Sequence, residues 1–344
     1  MTAAKWRRPG FLVGVLFAWI AVSPVAAQLA SDFGSIYKAI QAGTGTLSPS
    51  DSPAERVDPN TFSSPFAGVG SLTITSGGNS YIGTAVAISP WYVLTAGHNL
   101  DTNDDGVVDT GISIGLSLNA GSNQSSFLSV SQFALCPGFT GFLNPSVTND
   151  LGLLRLSQPL PAGVPVYPLW NAPLTVGQTF TTVGYGQSGS GDFGYSISAS
   201  FSTKRVGGNV IDSFTQAAGQ NAVFIYDFDA PATIGTVGGS LGNGVETIIG
   251  YGDSGSPLFL NINGQYYLGG INTFTQGSGL GLYGDQGGGI PLYPYLDWIG
   301  STAGVAAVPE PATTSLYVGL VVYAVGSIRR RRKQRAHLPV TDDG

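Results

Sequence analysis

Sulfur and imidazole are nearly absent from this chain. Its 344 residues hold one cysteine, Cys136, so no disulfide can close within it and stability must come from a packed core. Cys136 has no histidine of its own to activate it and reads as a small buried hydrophobe. Histidine occurs twice, at His98 and His337, so imidazole chemistry has few addresses. Charge is scarce too, at 10% of residues. Between residues 28 and 306, five Lys or Arg stand against seventeen Asp or Glu, a formal charge of −12. So acidic a surface repels phosphate backbones and argues against nucleic acid as a partner. Helical periodicity is rare throughout.

Long apolar runs are confined to the two ends. Lys5, Arg7 and Arg8 precede an apolar stretch over 11–22, and Val25-Ala26-Ala27 offers small residues for cleavage before Gln28. Residues 1–27 therefore read as a signal peptide, too short for a good membrane span. At the other end, Val308-Pro309-Glu310-Pro311 is followed by an uncharged stretch over 313–328 and then by Arg329-Arg330-Arg331-Arg332-Lys333. A basic cluster behind a short apolar helix is held on the cytoplasmic side of a membrane. This order resembles the PEP-CTERM sorting tail of Gram-negative bacteria. The resemblance implies transient anchoring in the inner membrane by a helix over 313–328. An exosortase would then remove the tail during export to the cell surface or the extracellular matrix. An ordinary C-terminal anchor is the other reading of residues 301–344.

The body of the chain reads as all-β. Short runs rich in Val, Ile, Thr, Tyr and Phe alternate with Gly, Asn, Ser and Pro clusters. Strands are expected at 68–75, 81–88, 91–95, 127–135 and 151–156, and again at 178–183, 195–202, 222–228, 257–261 and 266–273. The Pro-rich stretch over 158–173 separates the two sets, which predicts two β-lobes, at about 61–165 and 166–300. One short helix is expected over 294–299. Residues 28–60 read as a leader or propeptide-like segment, and the Gly-rich stretch over 277–289 reads as mobile loops.

Three fragments carry chemistry. His98 ends Val93-Leu94-Thr95-Ala96-Gly97-His98, after a strand that should be buried. Asn149-Asp150 opens the alternating run Leu151-Gly152-Leu153-Leu154-Arg155-Leu156. Ser254 sits in Gly252-Asp253-Ser254-Gly255-Ser256-Pro257. Taken singly, His98 reads as a structural histidine, Asp150 as a turn or cap residue and the hexapeptide as a product of Gly/Ser-rich composition.

Taken together, in the order His98, Asp150, Ser254, they resemble the trypsin/chymotrypsin family of serine proteases. TAGH, NDLGLLRL and GDSGSP match that family's TAAH, N-D-led strand and GDSGGP. Thr182-Val183-Gly184-Tyr185-Gly186, Gly270-Ile271-Asn272-Thr273-Phe274 and the run from Gly289-Ile290-Pro291 to Trp298-Ile299 match further pieces, over about residues 57 to 300. The resemblance implies two six-stranded barrels of the chymotrypsin type with a short C-terminal helix. It also implies an endopeptidase acting on protein or peptide substrates, with no cofactor required for the chemistry. A serine hydroxyl needs an adjacent base, the role of His98; Asp150 would fix the imidazole tautomer. The N–H groups of Gly252 and Ser254 would form the oxyanion hole. Thr273 would stand behind Asp150, and Thr273, Phe274 and Thr275 would pair with the substrate backbone.

Several positions depart from the family pattern. Ser256 replaces a glycine, and Asn99 stands where animal members have a paired cysteine. Ile248 lies where trypsin has its pocket-base aspartate, which with Thr275 points to a small or medium apolar residue before the scissile bond. Cleavage after Arg56 would present Val57 as a new N-terminus for Asp253, although Asp58-Pro59 does not continue the usual activation sequence; the other reading is an inert leader. Asp101, Asn103, Asp105 and Asp109, with Gly106 between, reproduce the first part of an EF-hand-like loop. The bidentate Glu is replaced by Ile112, so a structural calcium and a solvated turn both fit the pattern. A catalytically inactive or weakly esterolytic surface protein on the same scaffold is the competing reading of the whole.

Overall fold

The computed structural model describes residues 56–142, 147–217, 219–229, 241 and 246–306. The expected signal peptide, most of the expected leader and the expected sorting tail lie outside the described residues. Among the described residues, no helix is long and apolar enough to cross a membrane.

The first lobe is a closed six-stranded barrel. Its strands are β1 (Val69–Ser76), β2 (Asn79–Ala87), β3 (Tyr92–Thr95), β4 (Ser113–Leu118), β5 (Ser126–Leu135) and β6 (Gly152–Leu156), in the order β1-β2-β3-β6-β5-β4. Alternation gives each strand two faces with different fates. Leu72, Ile74, Ala85, Val93, Leu116 and Leu154 fill the barrel interior. Their neighbours Val86, Leu94 and Leu153 point outward into a second core shared with the other lobe. Both faces are thus buried, which explains why β6 reads as a nearly continuous apolar run. Each such side chain removed from water stabilises the fold by about 1.5–3 kcal/mol.

The second lobe departs from the expected six-stranded barrel. Its main sheet has seven strands: β7 (Thr179–Gly184), β10 (Arg205–Val210), β11 (Ser213–Ala217), β12 (Gln220–Asp227), β13 (Pro257–Ile262), β14 (Gln265–Gln276) and β15 (Gln286–Pro291). They run in the order β10-β7-β13-β14-β15-β12-β11, while β8 (Ser188–Ser190) and β9 (Gly194–Ile197) form a separate ribbon. The outer edge of β12 is taken by its hairpin partner β11, so β12 cannot close on β10. A side chain spans the gap instead: the buried Asn209 amide on β10 donates to Asp227 O at 2.7 Å and to Thr247 O at 3.0 Å. Asn263-Gly264 forms the two-residue turn between β13 and β14, both residues having positive φ, the signature of a type I′ hairpin.

After a 3-10 turn at Tyr293–Tyr295, helix α1 (Leu296–Ala303) buries Ile299 and ends on Gly304 in the left-handed conformation. It braces the first lobe, because Tyr295 Oη donates to Asn149 Oδ1 at 2.9 Å. Within the stretch over 277–289, residues 286–289 belong to β15 and the rest gathers around one carboxylate. The buried Asp285 carboxylate accepts from Ser278 N, Ser278 Oγ, Gly281 N and Leu282 N at 2.6–3.1 Å. Although burial opposes its charge, these donors hold its pKa below the ordinary carboxylate value.

A buried ion pair joins the N-terminal segment to both lobes. Lys204 Nζ lies 3.1 Å from Asp58 Oδ1 and donates to Phe66 O at 2.9 Å, and both charged side chains are almost wholly buried. Asp58 also accepts from Asn60 N and Ser64 Oγ. Removing one member of such a pair strands the other charge, at a cost of about 3–5 kcal/mol. Lys204→Met should therefore lower the urea midpoint sharply, with Lys204→Met/Asp58→Asn recovering part of the loss. A single variant within about 0.5 kcal/mol of wild type, the ordinary range for surface substitutions, would contradict this account.

Candidate active site

Sheet pairing places the first two candidate residues together. β3 pairs with β6 through Thr95 opposite Gly152, so the 3-10 turn Gly97–Asn99 after β3 meets the residues before β6. Asn149 takes a positive φ there and turns Asp150 inward, where it is fully buried. Asp150 grips His98 at two points: Oδ1 accepts from the His98 backbone N–H and Oδ2 lies on Nδ1, both at 2.8 Å. Burial of the imidazole opposes protonation. The Asp150 charge and hydrogen bond, followed by Asp104 and Asp101, outweigh it and raise the His98 pKa above the ordinary 6.5. This geometry assigns the proton to Nδ1 and leaves Nε2 as the basic atom.

Ser254 comes from the second lobe, on the turn before β13. Asp253 N donates to Gly250 O, Ser256 N to Asp253 O and Gly255 N to Asn272 O, at 2.7–2.9 Å. Gly255 has φ +93°, and a Cβ there would stand 2.0 Å from Thr84 O and 2.2 Å from Thr95 Oγ1, so only glycine fits. Ser256 is fully buried and sits within 3.3 Å of Thr182 Oγ1, so the departure from glycine is accommodated by a polar contact.

The turn is tied to the first lobe at its backbone. Ser254 O accepts from Thr84 N and from Asn99 Nδ2, each at 2.9 Å, while Thr84 Oγ1 donates to Gly252 O at 2.9 Å. Asn99 Nδ2 also reaches Thr95 Oγ1 at 2.9 Å, and that hydroxyl donates to Thr84 O. The Asn99 amide occupies the space that Gly83 leaves open, since a Cβ on Gly83 would meet it at 2.8 Å. A hydrogen-bonded amide thus links the two chain segments that flank the His98 turn and the nucleophile turn. Sequence reasoning saw only the missing cysteine at Asn99 and missed Thr84 and Thr95.

His98, Ser254 and Gly252 line one cavity of about 360 Å³. Among the described residues, no hydrogen bond joins the Ser254 and His98 side chains, and the backbone N–H groups of Gly252 and Ser254 serve no other acceptor. The expected support of Asp150 by Thr273 is not made: among the described residues, the buried Thr273 Oγ1 has no hydrogen-bond partner. Phe274 and Thr275 are half-buried on the part of β14 that runs past the last pairing with β13, Pro257 opposite Ile271. Ile248 does not line the Ser254 cavity. It packs against Phe228 and borders a smaller cavity of about 60 Å³.

That smaller cavity also holds the proposed activation residues. Arg56 and Asp253 both line it. Arg56 is buried and donates from Nη2 to Glu246 O at 3.1 Å, and Val57 forms an antiparallel bridge with Arg205. Asp253 already receives Gly186 N at 2.7 Å and Gly250 N at 2.9 Å in the uncut chain. Burial pushes its carboxyl up to about 6, although these donors and Arg205 pull the other way. Cleavage after Arg56 therefore requires local opening of a buried side chain.

The loop over 101–109 is drawn together by its own hydrogen bonds. Among the described residues, no three His, Cys, Asp or Glu side chains converge to hold a metal ion. Its donors are used internally: Asp101 accepts from Asp105 N and Gly106 N, and Asn103 Nδ2 donates to Asp105 Oδ2. Asp109 Oδ2 accepts from Ser76 Oγ and from Thr102 N and Oγ1.

Comparison with known proteins places the site in context. The profile of the family described as Trypsin matches residues 60–299. Over 240 residues the chain is 28% identical to the inactive CLIP domain-containing serine protease A3 of Aedes aegypti, covering 67% of this chain and 48% of that protein. The chain thus spans about half the length of this curated relative. Among solved structures it is similar to neuropsin, a serine protease expressed in the limbic system of mouse brain. That match has a TM-score of 0.51 and 19% identity, covering 72% of this chain and 97% of the other. At that identity the likeness is one of fold.

Replacing Asn99 by alanine removes one buried and one partly buried hydrogen bond and should cost about 1–3 kcal/mol in denaturant unfolding. An unchanged midpoint would show that the amide does not join the two segments.

Proposed function

The chain belongs to the trypsin family, and from that membership we propose that it is an exported serine endopeptidase. The observation that carries this reading is the two-point hold of Asp150 on His98, with His98 and Ser254 lining one cavity from opposite lobes. Ser254 Oγ attacks the scissile carbonyl carbon while His98 Nε2 takes its proton. The oxyanion is received by the N–H groups of Gly252 and Ser254, each such donor being worth about 10²–10³ in rate. The C–N bond then breaks, His98 returns the proton to the leaving amine, and the acyl group stays on Ser254. Water, deprotonated by His98, attacks the acyl carbon; the bond from that carbon to Ser254 Oγ breaks, His98 returns the proton to Oγ and the acid leaves. Asp150 keeps its hold on Nδ1 and stabilises the imidazolium.

The acyl side of the substrate lies along Thr273–Thr275 as an added strand, which the β14 edge beyond its pairing with β13 supports, the other edge being held by β15. Thr275, half-buried on β14, favours a small or medium apolar residue before the scissile bond, whereas Ile248 borders the other cavity. The signal peptide, the Pro-Glu-Pro motif and the Arg-rich end support passage through the inner membrane of a Gram-negative bacterium. Tail removal by an exosortase would follow, with release to the cell surface or medium. The Aedes relative, inactive by name, favours a second reading: a catalytically inactive or weakly esterolytic surface protein. Retention of His98, Asp150 and Ser254 in this chain favours the enzyme.

The base must be unprotonated to act, so kcat/KM for peptide hydrolysis should rise with pH through a single acid limb. The raised His98 pKa puts its midpoint above 6.5. The Ser254→Ala variant should show only background at every pH. A limb at or below 6.5, or activity that survives in Ser254→Ala, would contradict the assignment.

A further inference from the structure

The cavity beside Ser254 extends away from the strand edge expected to hold the acyl side. It is bounded by His98, Gly252 and Ser254 but includes none of Thr273, Phe274, Thr275 or Ile248. A peptide whose acyl half runs along Thr273–Thr275 and whose carbonyl lies over Ser254 must send its leaving half into this space. The opening is therefore the leaving-group side of the site.

Its lining has a distinct chemistry. Ile74, Tyr81 and Ile82 give an apolar wall, and Phe142 and Tyr251 add rings, Tyr251 being 58% exposed and Phe142 lying 5.0 Å from the His98 ring. The polar end is acidic: the exposed Asp104 borders the cavity, and no Lys or Arg does so among the described residues. Asp104 occupies the fourth position of the 101–109 loop, outside the ligand positions of the calcium pattern. Asp101 is buried with its oxygens on backbone N–H groups, which leaves Asp104 as the carboxylate available to a ligand. Its negative charge is felt across the cavity, since it is among the causes that raise the His98 pKa.

An apolar wall, aromatic faces and a carboxylate at the rim suit a long aliphatic stem that ends in a cation. We infer that this cavity selects substrates with lysine or arginine on the leaving-group side of the scissile bond, with Asp104 as the specificity-determining residue. The inference rests on the protease reading. It adds a charge preference after the scissile bond to the apolar preference before it.

Internally quenched peptides with one acyl half and Lys, Leu or Glu in the first two leaving-side positions test it. The Lys peptide should exceed the Glu peptide in kcat/KM by about tenfold or more, the scale of one charge pair at this range. The ratio should shrink as salt rises. Asp104→Asn, which keeps a residue tolerant of the positive φ at this position, should reduce the ratio toward one, and Asp104→Lys should invert it. Equal, salt-insensitive rates on all peptides, or an Asp104→Asn ratio unchanged from wild type, would overturn the inference and leave the protease reading standing. Failure of the wild-type chain to cleave any peptide would overturn both.

Discussion

The carbonyl oxygen of Ser254 is the point on which the site depends. It receives one backbone N–H from β2 and one side-chain amide from the turn that carries His98. Those two donors belong to the first lobe, whereas the carbonyl belongs to the second. The distance between nucleophile and base is therefore set by hydrogen bonds across the lobe junction. Gly255 permits this approach because any side chain there would collide with Thr84 and Thr95. The shared apolar core brings the lobes together without direction, and the bonds at Ser254, Gly252 and Thr84 give the junction its register.

Charge is distributed in keeping with that arrangement. Of the five Lys or Arg between residues 28 and 306, Lys38 lies outside the described residues. Arg56 and Lys204 are buried, Arg205 is partly buried, and Arg155 stacks over Trp91 at 5.4 Å. Positive charge is thus concentrated inside, where it holds the N-terminal segment and the surroundings of Asp253. The surface around the catalytic candidates is left acidic, which raises the basicity of His98 and colours the leaving-group cavity.

Much of this was legible in the sequence, and the gaps have physical causes. Strands such as Gly152–Leu156 and Pro257–Ile262 announce themselves by β-branched, aromatic and leucine residues. Arg205–Val210 and Gln286–Pro291 did not, because their glycines are chosen for close backbone approach, as where Gly288 meets the Phe274 ring. Tyr195–Ser202 was read too long, since pairing stops at Ile197. The order of His98, Asp150 and Ser254 was readable as a resemblance, and the sheet register explains how the first two meet. The roles of Thr84, Thr95 and Asn99 were not readable, because Thr84 and Asn99 find partners more than 150 residues away. Composition also hid part of a strand: the glycines over 277–289 read as loop, whereas residues 286–289 pair with the preceding strand as β15.

The central claim is that Ser254 is an activated nucleophile, and covalent labelling reads this directly. A fluorophosphonate should form one bond to Ser254 Oγ with loss of fluoride, giving a single adduct by intact mass that maps to the peptide containing Gly252–Pro257. The adduct should be absent from a folded Ser254→Ala variant. A folded wild-type chain that takes no label, or a label that persists at another residue when Ser254 is replaced, would contradict the account.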